Sequence, residues 1–550
     1  MFDDLDLTGI QNERARQLLV RLLNLLEDVT ADLRDAQVEI QRLRDENNRL
    51  KGEQGKPTIK ANIPTSPPID HSSERERRQP GTWSKGRKNE TIRIDRHHVL
   101  AVDPALLPPD AAFKGYEEVV VVQDVVFRTE NIRFLKEKYY APSTGRTYLA
   151  PLPRGYDGQF GPGLKALTLV LYGGGQMSEP KILELFGSVG VQISAGQLSN
   201  LLIKDQDVFH TEKDAVYVAG LQSSPWQHLD ATGTRVHGQN HHCHIVCNPL
   251  YTVYHTTPSK DRLSVLDVLR NGQPRTFRCN AEALGTLAQM GLSVATHHTL
   301  AQLPSAQDWD EASLRQWLEE HLPSLGPQQR KWILDATAVA AYHAQEEFPV
   351  VRLLVCDDAP QFNGVTEALA LCWVHEGRHY KKLTPSVPYH RRLLDDFLER
   401  FWTFYDVLLT YRQQPTAAEH ARLAAEFDGL FSTVTGYRAL DERIAKTQAK
   451  KACLLMVLEH PEIPLHNNPA ELGARMRVRK RDVSFGPRTA DGAQAWDTFM
   501  TLAATAKKLG VSFYHYIHDR ISGANQMPAL ASLIEMQAKD LNLGASWNTS

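Results

Sequence analysis

The sequence predicts a multidomain α/β protein, and three observations predict it. An apolar seam near the N-terminus repeats every three and four residues, the run from Val350 to Cys356 is apolar but for Arg352, like a buried strand, and long helix-forming stretches flank that run. At 550 residues there is room for three to four domains with buried cores. Hydrophobic residues are 42% and charged residues 23% of the chain, a soluble balance, and no apolar run reaches the ~18 residues of a membrane span, which argues against a membrane protein. The acidic start MFDDLDLTG lacks the features of a secretory signal, and 6 cysteines in such a length make no disulfide framework, so a cytoplasmic protein with reduced thiols is expected. Lys+Arg 62 against Asp+Glu 65 leaves a net charge of -3, so any nucleic-acid surface must come from local clustering.

The seam runs through Leu19, Leu22, Leu26, Val29, Leu33, Ala36, Ile40, Leu43, Asn47 and Leu50 without Gly or Pro, with charged flanks. Residues 1–52 are therefore expected to form a leucine-zipper coiled coil that makes a homodimer or higher homo-oligomer, with Asn47 at an a-type position fixing register. The alternative is one amphipathic helix packed on its own protein. Residues 53–100 read as a flexible, Pro-rich and then basic linker. From His71 to Leu100, Arg75, Arg77, Arg78, Lys85, Arg87, Lys88, Arg93 and Arg96 outnumber Glu74, Glu76, Glu90 and Asp95 by four, as in an arm that follows a phosphate backbone.

Residues 101–160 form a small β-containing module, with strands expected at Glu117–Val126 and Thr147–Leu152. Residues 161–210 contain three helix-like pieces separated by Gly-rich breaks, with Ser178 and Ser194 as N-caps. A helix-turn-helix of this kind would present Gln197 and Asn200 to DNA, although three short helices serve equally as scaffold.

Three acids stand out further on. Asp230 in SPWQHLDATGTRV is expected just before a turn, with a strand continuing through HHCHIVCNPLYTVYHTT. Asp357 ends the apolar Val350–Cys356 strand, where sheet proteins place ligands, and Asp358 follows it. Glu471 lies in the first turn of a helix in which Asn468 would cap and Pro469 would take the first position, with Arg475 four residues on. Three carboxylates from separate elements suit two hard divalent cations that keep open positions for water and phosphate oxygens. Each acid could instead cap a turn or helix.

LCWVHEGRHYKKL and PLHNNPAELGARMRVRKRDVSFGPRTADGAQAWDTFMTLAATAKKLGVSFYHYI resemble the C-terminal signature of bacterial insertion-sequence transposases of family sixty-six. The match falls at Asp230, at Asp357 with Cys372, Trp373, His375 and Arg378, and at Asn467, Asn468, Glu471 and Arg475, and with zipper, linker and helices it covers most of the chain. The resemblance implies a ribonuclease-H-like DDE catalytic core built from residues 211–272, 350–383 and 461–525, with helical insertions at 273–349 and 384–460 and a tail at 526–550. It implies a DNA transposase, nucleoid-associated in a bacterium, with Asp230, Asp357 and Glu471 as catalytic residues and ligands of two Mg2+ ions, which Mn2+ could replace. DNA ends and target DNA would be its partners, with accessory proteins of the same element. His375, Arg378, Lys381, Arg475, Arg479 and Lys480 are then candidates for DNA contacts.

Three departures accompany the resemblance. No cysteine precedes Cys243, so the family's cysteine-rich zinc module is missing or replaced; the first motif reads DAT rather than DET; and about 75 residues separate Asn271 from Val350. Cys243 and Cys247 among His241, His242 and His244 lie on one predicted strand with alternating faces, and are expected to be strand residues rather than zinc ligands.

Overall fold

A computed structural model describes residues 7, 10–51, 94–117, 125 and 127–549. The basic arm from Arg75 to Lys88 and nearly all of the Glu117–Val126 segment lie outside them. The first helix, α1 (Glu13–Leu50), spans the Gly- and Pro-free stretch. Strands β1 (Lys138–Ala141) and β2 (Arg146–Leu149) form an antiparallel hairpin. Helices α2 (Pro162–Leu169), α3 (Glu179–Ser188), α4 (Ala195–Ile203) and α5 (Asp207–Gln222) follow. Ser194 caps α4 by accepting from the Gln197 N–H, whereas Ser178 sits at the N-cap of α3 without such a bond.

A five-stranded mixed sheet comes next: β3 (Trp226–Val236), β4 (Gln239–Cys247), β5 (Thr252–Thr257), β6 (Leu353–Cys356) and β7 (Ala368–Leu371), in the order β5-β4-β3-β6-β7. The first three are antiparallel to one another, while β6 is parallel to β3 and β7 to β6. Asp230 falls in the middle of β3, not before a turn. The turn comes at His237 and Gly238, both with positive φ, as a two-residue hairpin loop requires. Between β5 and β6 run α6 (Arg262–Leu269), α7 (Ala281–Gln289), α8 (Val294–Leu300), α9 (Glu311–His321) and α10 (Pro327–His343). After β7 come α11 (Trp373–Lys381), α12 (Pro388–Gln413), α13 (Ala417–Phe431), α14 (Arg438–Gln448) and the short α15 (Lys451–Leu454) and α16 (Met456–Glu459). The chain closes with α17 (Asn468–Ser484), α18 (Ala490–Lys508), α19 (Phe513–Ser522) and α20 (Leu530–Leu541).

Alternation along the strands divides the core. Leu229, Val246, Val253, Leu354 and Cys356 pack with Val216, Val265 and Ile333 of α5, α6 and α10. Cys243, Ile245, Cys247 and Tyr254 pack on the opposite face against Ala470 and Ala474 of α17 and Met500 of α18. Gly473 permits this approach, since a Cβ there would stand 2.7 Å from Ile245. The free edge of β5 is closed by α18: Thr252, Tyr254 and Thr256 N–H groups donate to Thr505, Thr501 and Asp497 at 3.2, 3.0 and 2.7 Å. A two-residue strand repeat thus matches a four-residue helix repeat, and an exposed edge is removed.

The N-terminal helix is held on its own protein by a face beside the heptad seam. Leu23 is buried with Leu7 and Val387, and Leu19 and Val20 pack alongside. Asn24 donates to the Gly436 carbonyl and accepts from the Arg438 N–H. Glu27 accepts from the Ser386 and Val387 N–H groups at 2.5 and 3.0 Å, so it caps α12, whose own N-cap residue Val387 has no polar side chain. Leu22, Leu26, Val29, Leu33, Ile40, Leu43 and Leu50 remain exposed. Among the described residues, no helix is long and apolar enough to cross a membrane.

Candidate active site

The β3/β6 register places the first two acids together. Gln227 pairs with Leu354 and His228 with Val355; two residues further on, the same parallel register brings Asp357 level with Asp230 on the same face. The face carrying Asp230 is that covered by α17, because its partner Ile245 packs there. Glu471 in the first turn of α17 is therefore laid over both strands. Burial, together with the negative charges of Asp357 and Glu471, pushes the Asp230 carboxyl up to about 7, against the pull of the Ala231 N–H and the Arg378 guanidinium. Asp357 and Glu471 thus act on Asp230 as like charges, and carboxylate oxygens match a hard divalent cation. Ala231 points to the other face of β3, so the DAT motif removes nothing from the face where the acids meet.

Positive groups come from α11. Arg378 Nη2 donates to Glu471 Oε2 at 3.1 Å, and Arg378 Nη1 donates to His375 Nε2 at 3.0 Å. His375 Nδ1 lies 3.6 Å from Glu471 Oε1 without a hydrogen-bond partner. Burial lowers the His375 pKa, favouring neutral imidazole. Cys372, His375 and Glu471 have ligand atoms within 4.8 Å of one another. Burial drives the Cys372 thiol up to about 12, so it stays protonated, and its sulfur accepts the Asn467 N–H. Trp373 buries itself in an aromatic cluster with Phe401, Phe404 and Phe427, which fixes the start of α11.

Asn467 and not Asn468 stands at the N-cap of α17, and it makes no side-chain cap bond there. Its side chain is committed elsewhere: Nδ2 donates to the Leu229 carbonyl at 2.8 Å and Oδ1 meets His228 Nδ1 at 2.9 Å. This positioning contact emerges only from the fold. Asp358 turns away, paired with Lys450, which also binds Glu376.

Of the candidate DNA contacts, Arg378, Lys381, Arg475 and Arg479 are exposed near or beyond Glu471 on α11 and α17, and His375 is half-buried. Lys480 is not a DNA contact. It is 1% exposed, its Nζ donates to the Tyr172 carbonyl and lies 3.2 Å from the Tyr172 ring centre, and burial lowers its pKa to about 7. The same inward face of α17 buries Arg477, paired with Asp497 at 3.0 Å. On α4, Asn200 is exposed and Gln197 is half-buried, bonded to Gln159. Arg75, Arg77, Arg78, Lys85, Arg87 and Lys88 lie outside the described residues. Cys243 and Cys247 are buried strand residues, and His244 bonds to Thr257 at 2.9 Å.

The molecule is a mixed α/β protein in which acids from β3, the end of β6 and α17 lie beside the arginine-bearing helix α11. The chain belongs to the Transposase IS66 family, whose profile matches residues 338–495 and so takes in Asp357, the His375–Arg378 turn and Glu471. It is also similar to the uncharacterized protein y4jO of Sinorhizobium fredii, 32% identical over 321 residues, which are 58% of this chain and 99% of that protein.

Proposed function

We infer that the protein is the DNA transposase of an insertion sequence, with a ribonuclease-H-like core that cuts at the element's ends and joins the freed 3'-hydroxyl to target DNA. The observation that carries this reading is the gathering of three acids from separate elements, Asp230 within β3, Asp357 directly after β6 and Glu471 in the first turn of α17, the helix that covers the Asp230 face of the sheet. These three would hold two Mg2+ ions, or Mn2+ in their place, which supply Lewis acidity to the attacking and leaving oxygens. The rest falls to the chain's own side chains. Arg378 holds Glu471 in place and, half exposed, has donors left for a phosphate. Arg475 and Arg479, one and two turns along α17 from Glu471, extend the positive track along the bound strand. His375 accepts from Arg378 through Nε2 and so helps keep that guanidinium beside Glu471, while its own Nδ1 lies 3.6 Å from the carboxylate.

A catalytically decayed relative that only binds and dimerises is the alternative that the DAT motif favours, but Ala231 faces away from the acids. The deciding test is incubation of the full chain with supercoiled plasmid carrying the element's ends, with Mg2+, Mn2+ or EDTA. Metal-dependent cleavage followed by end-joined products supports a transposase. Cleavage without joining makes it a nuclease, and no cleavage makes it a binding protein.

A further inference from the structure

Phe485 ends α17 in a conformation that its side chain disfavours. Its φ of 59° and ψ of 11° are left-handed, where glycine or asparagine usually stops a helix and a bulky residue is strained. Its N–H donates to the Arg481 carbonyl at 2.7 Å and closes the last turn. Burial does not offset the strain, because Phe485 is 87% exposed. The backbone beneath it is nevertheless fixed. Gly486 lies so close to the β3–β4 hairpin that a Cβ there would stand 2.6 Å from the Arg235 carbonyl oxygen. The His237 N–H donates to the Pro487 carbonyl at 3.0 Å, and Arg481 Nη1 donates to the Gly233 carbonyl at 2.6 Å. A strained turn clamped on both sides thus presents an aromatic ring to the outside, and strain kept in this way marks a contact the chain makes with something else.

The neighbours of the ring define that partner. Arg235, Arg479 and Arg488 are exposed around it, while Asp482 is engaged by Arg481 at 3.3 Å. Guanidinium groups around an exposed ring suit nucleic acid, whose phosphates meet the charges and whose base meets the ring. Two elements measure the distance to the carboxylates. Along α17, Phe485 lies fourteen residues from Glu471, about 21 Å of helix. Along β3, Arg235 lies five residues from Asp230, about 17 Å of strand. We propose that Phe485 is a wedge that stacks on a base of the bound DNA about five to six base pairs from the phosphate held at the carboxylates, opening the duplex there. Arg235, Arg479 and Arg488 take the flanking phosphates. The proposal rests on the DNA-cutting function inferred above.

The test uses the full chain in EDTA and fluorescein-labelled duplexes of the element's end, each with one mismatched pair, placed at successive positions on either side of the terminal nucleotide and read by anisotropy. A pair that is already open spares the protein the cost of unstacking it. Wild type is expected to bind about tenfold tighter when the mismatch lies about five or six pairs from the terminal nucleotide on one side, and no tighter when it lies elsewhere. Phe485→Asn should lose this gain and Phe485→Trp should keep it. Asparagine tolerates the left-handed turn, so Phe485→Asn should also unfold at a higher urea concentration than wild type, which separates loss of the gain from misfolding. A wild type without the gain, a gain equal at all positions, or a gain retained by Phe485→Asn overturns the wedge. A lower mass of Phe485→Asn in light scattering would assign the ring to a contact between copies and overturn it too. Metal-dependent cleavage by wild type alongside any of these results leaves the proposed function standing, whereas absence of cleavage by wild type counts against that function instead.

Discussion

Asn467 donates to the carbonyl of Leu229 at 2.8 Å, one residue before Asp230 and four residues before Glu471. One side chain thus ties the strand that bears the first acid to the helix that bears the last, and the Asn467 N–H donated to Cys372 extends the tie to the end of β7. The site is held by a buried polar network whose members are satisfied by one another.

Asn467→Ala should leave the Leu229 carbonyl and His228 Nδ1 without their partner in the core, at a cost of about 1–3 kcal/mol for each group. Urea unfolding should show a lower midpoint with an unchanged slope, and cleavage should fall at temperatures where the variant is still folded. A variant as stable and as active as wild type would mean that the tie does not position the acids.

The metal-free protein should lose stability as pH rises from about 4 to about 7. Asp230 has a folded pKa of about 7, above its unfolded value of 3.8. The folded state therefore binds more protons between these values, and stability falls across that window. The change is on the order of a few kcal/mol at most. Thermal melts in EDTA at pH 5 and pH 8 should show the drop in wild type and much less of it in Asp230→Asn. Added Mg2+ should raise the melting temperature more at pH 8 than at pH 5.

The exposed heptad positions and the docked face of α1 should separate by mutation. Leu33→Glu with Ile40→Glu should lower the mass seen by light scattering, because the coiled-coil seam is broken. Asn47→Leu should strengthen association and loosen its register or number. Glu27→Ala should keep the mass and destabilise α12 by about 1 kcal/mol, the worth of a lost cap. An unchanged mass in the Leu33/Ile40 variant would assign α1 to intramolecular packing alone.

Neutralising Arg75, Arg77, Arg78, Arg87 and Lys88 should weaken binding to specific and random DNA alike. The slope of log affinity against log salt should flatten by about 0.9 for each lost phosphate contact. Gln197→Ala with Asn200→Ala should instead reduce preference for the element's ends at nearly constant salt slope. The opposite pattern would place end recognition in the arm.

Much of the site was legible because its signals are local. The apolar run before Asp357 became β6, and the helix start around Pro469 became α17. Relations between distant segments were not legible. Lys480 sits in the basic run RMRVRKR, yet a helix turns one face inward every three to four residues, and the Tyr172 and Trp496 rings that receive Lys480 come from remote segments. Glu27 looked like a solvated flank of the zipper until Ser386 and Val387 met it. Asp230 was expected before a turn, but antiparallel pairing with β4 from His228 to Val236 carries β3 on past it.

The central claim is that Asp230, Asp357 and Glu471 form one metal-dependent centre for phosphodiester chemistry. Its most direct measurement is the cleavage rate of end-bearing DNA in Mg2+ by wild type and by Asp230→Ala, Asp357→Ala, Glu471→Ala and Asp358→Ala, with DNA affinity measured in parallel. The first three should lose cleavage by at least about a thousandfold and keep affinity within a few-fold, since a ligand is lost and the basic surface is not. Asp358→Ala should stay active, because Asp358 is paired with Lys450 away from the cluster. Near-normal cleavage by any of the first three variants, with Asp358→Ala inactive, would contradict the assignment and shift the centre to the other acid after β6.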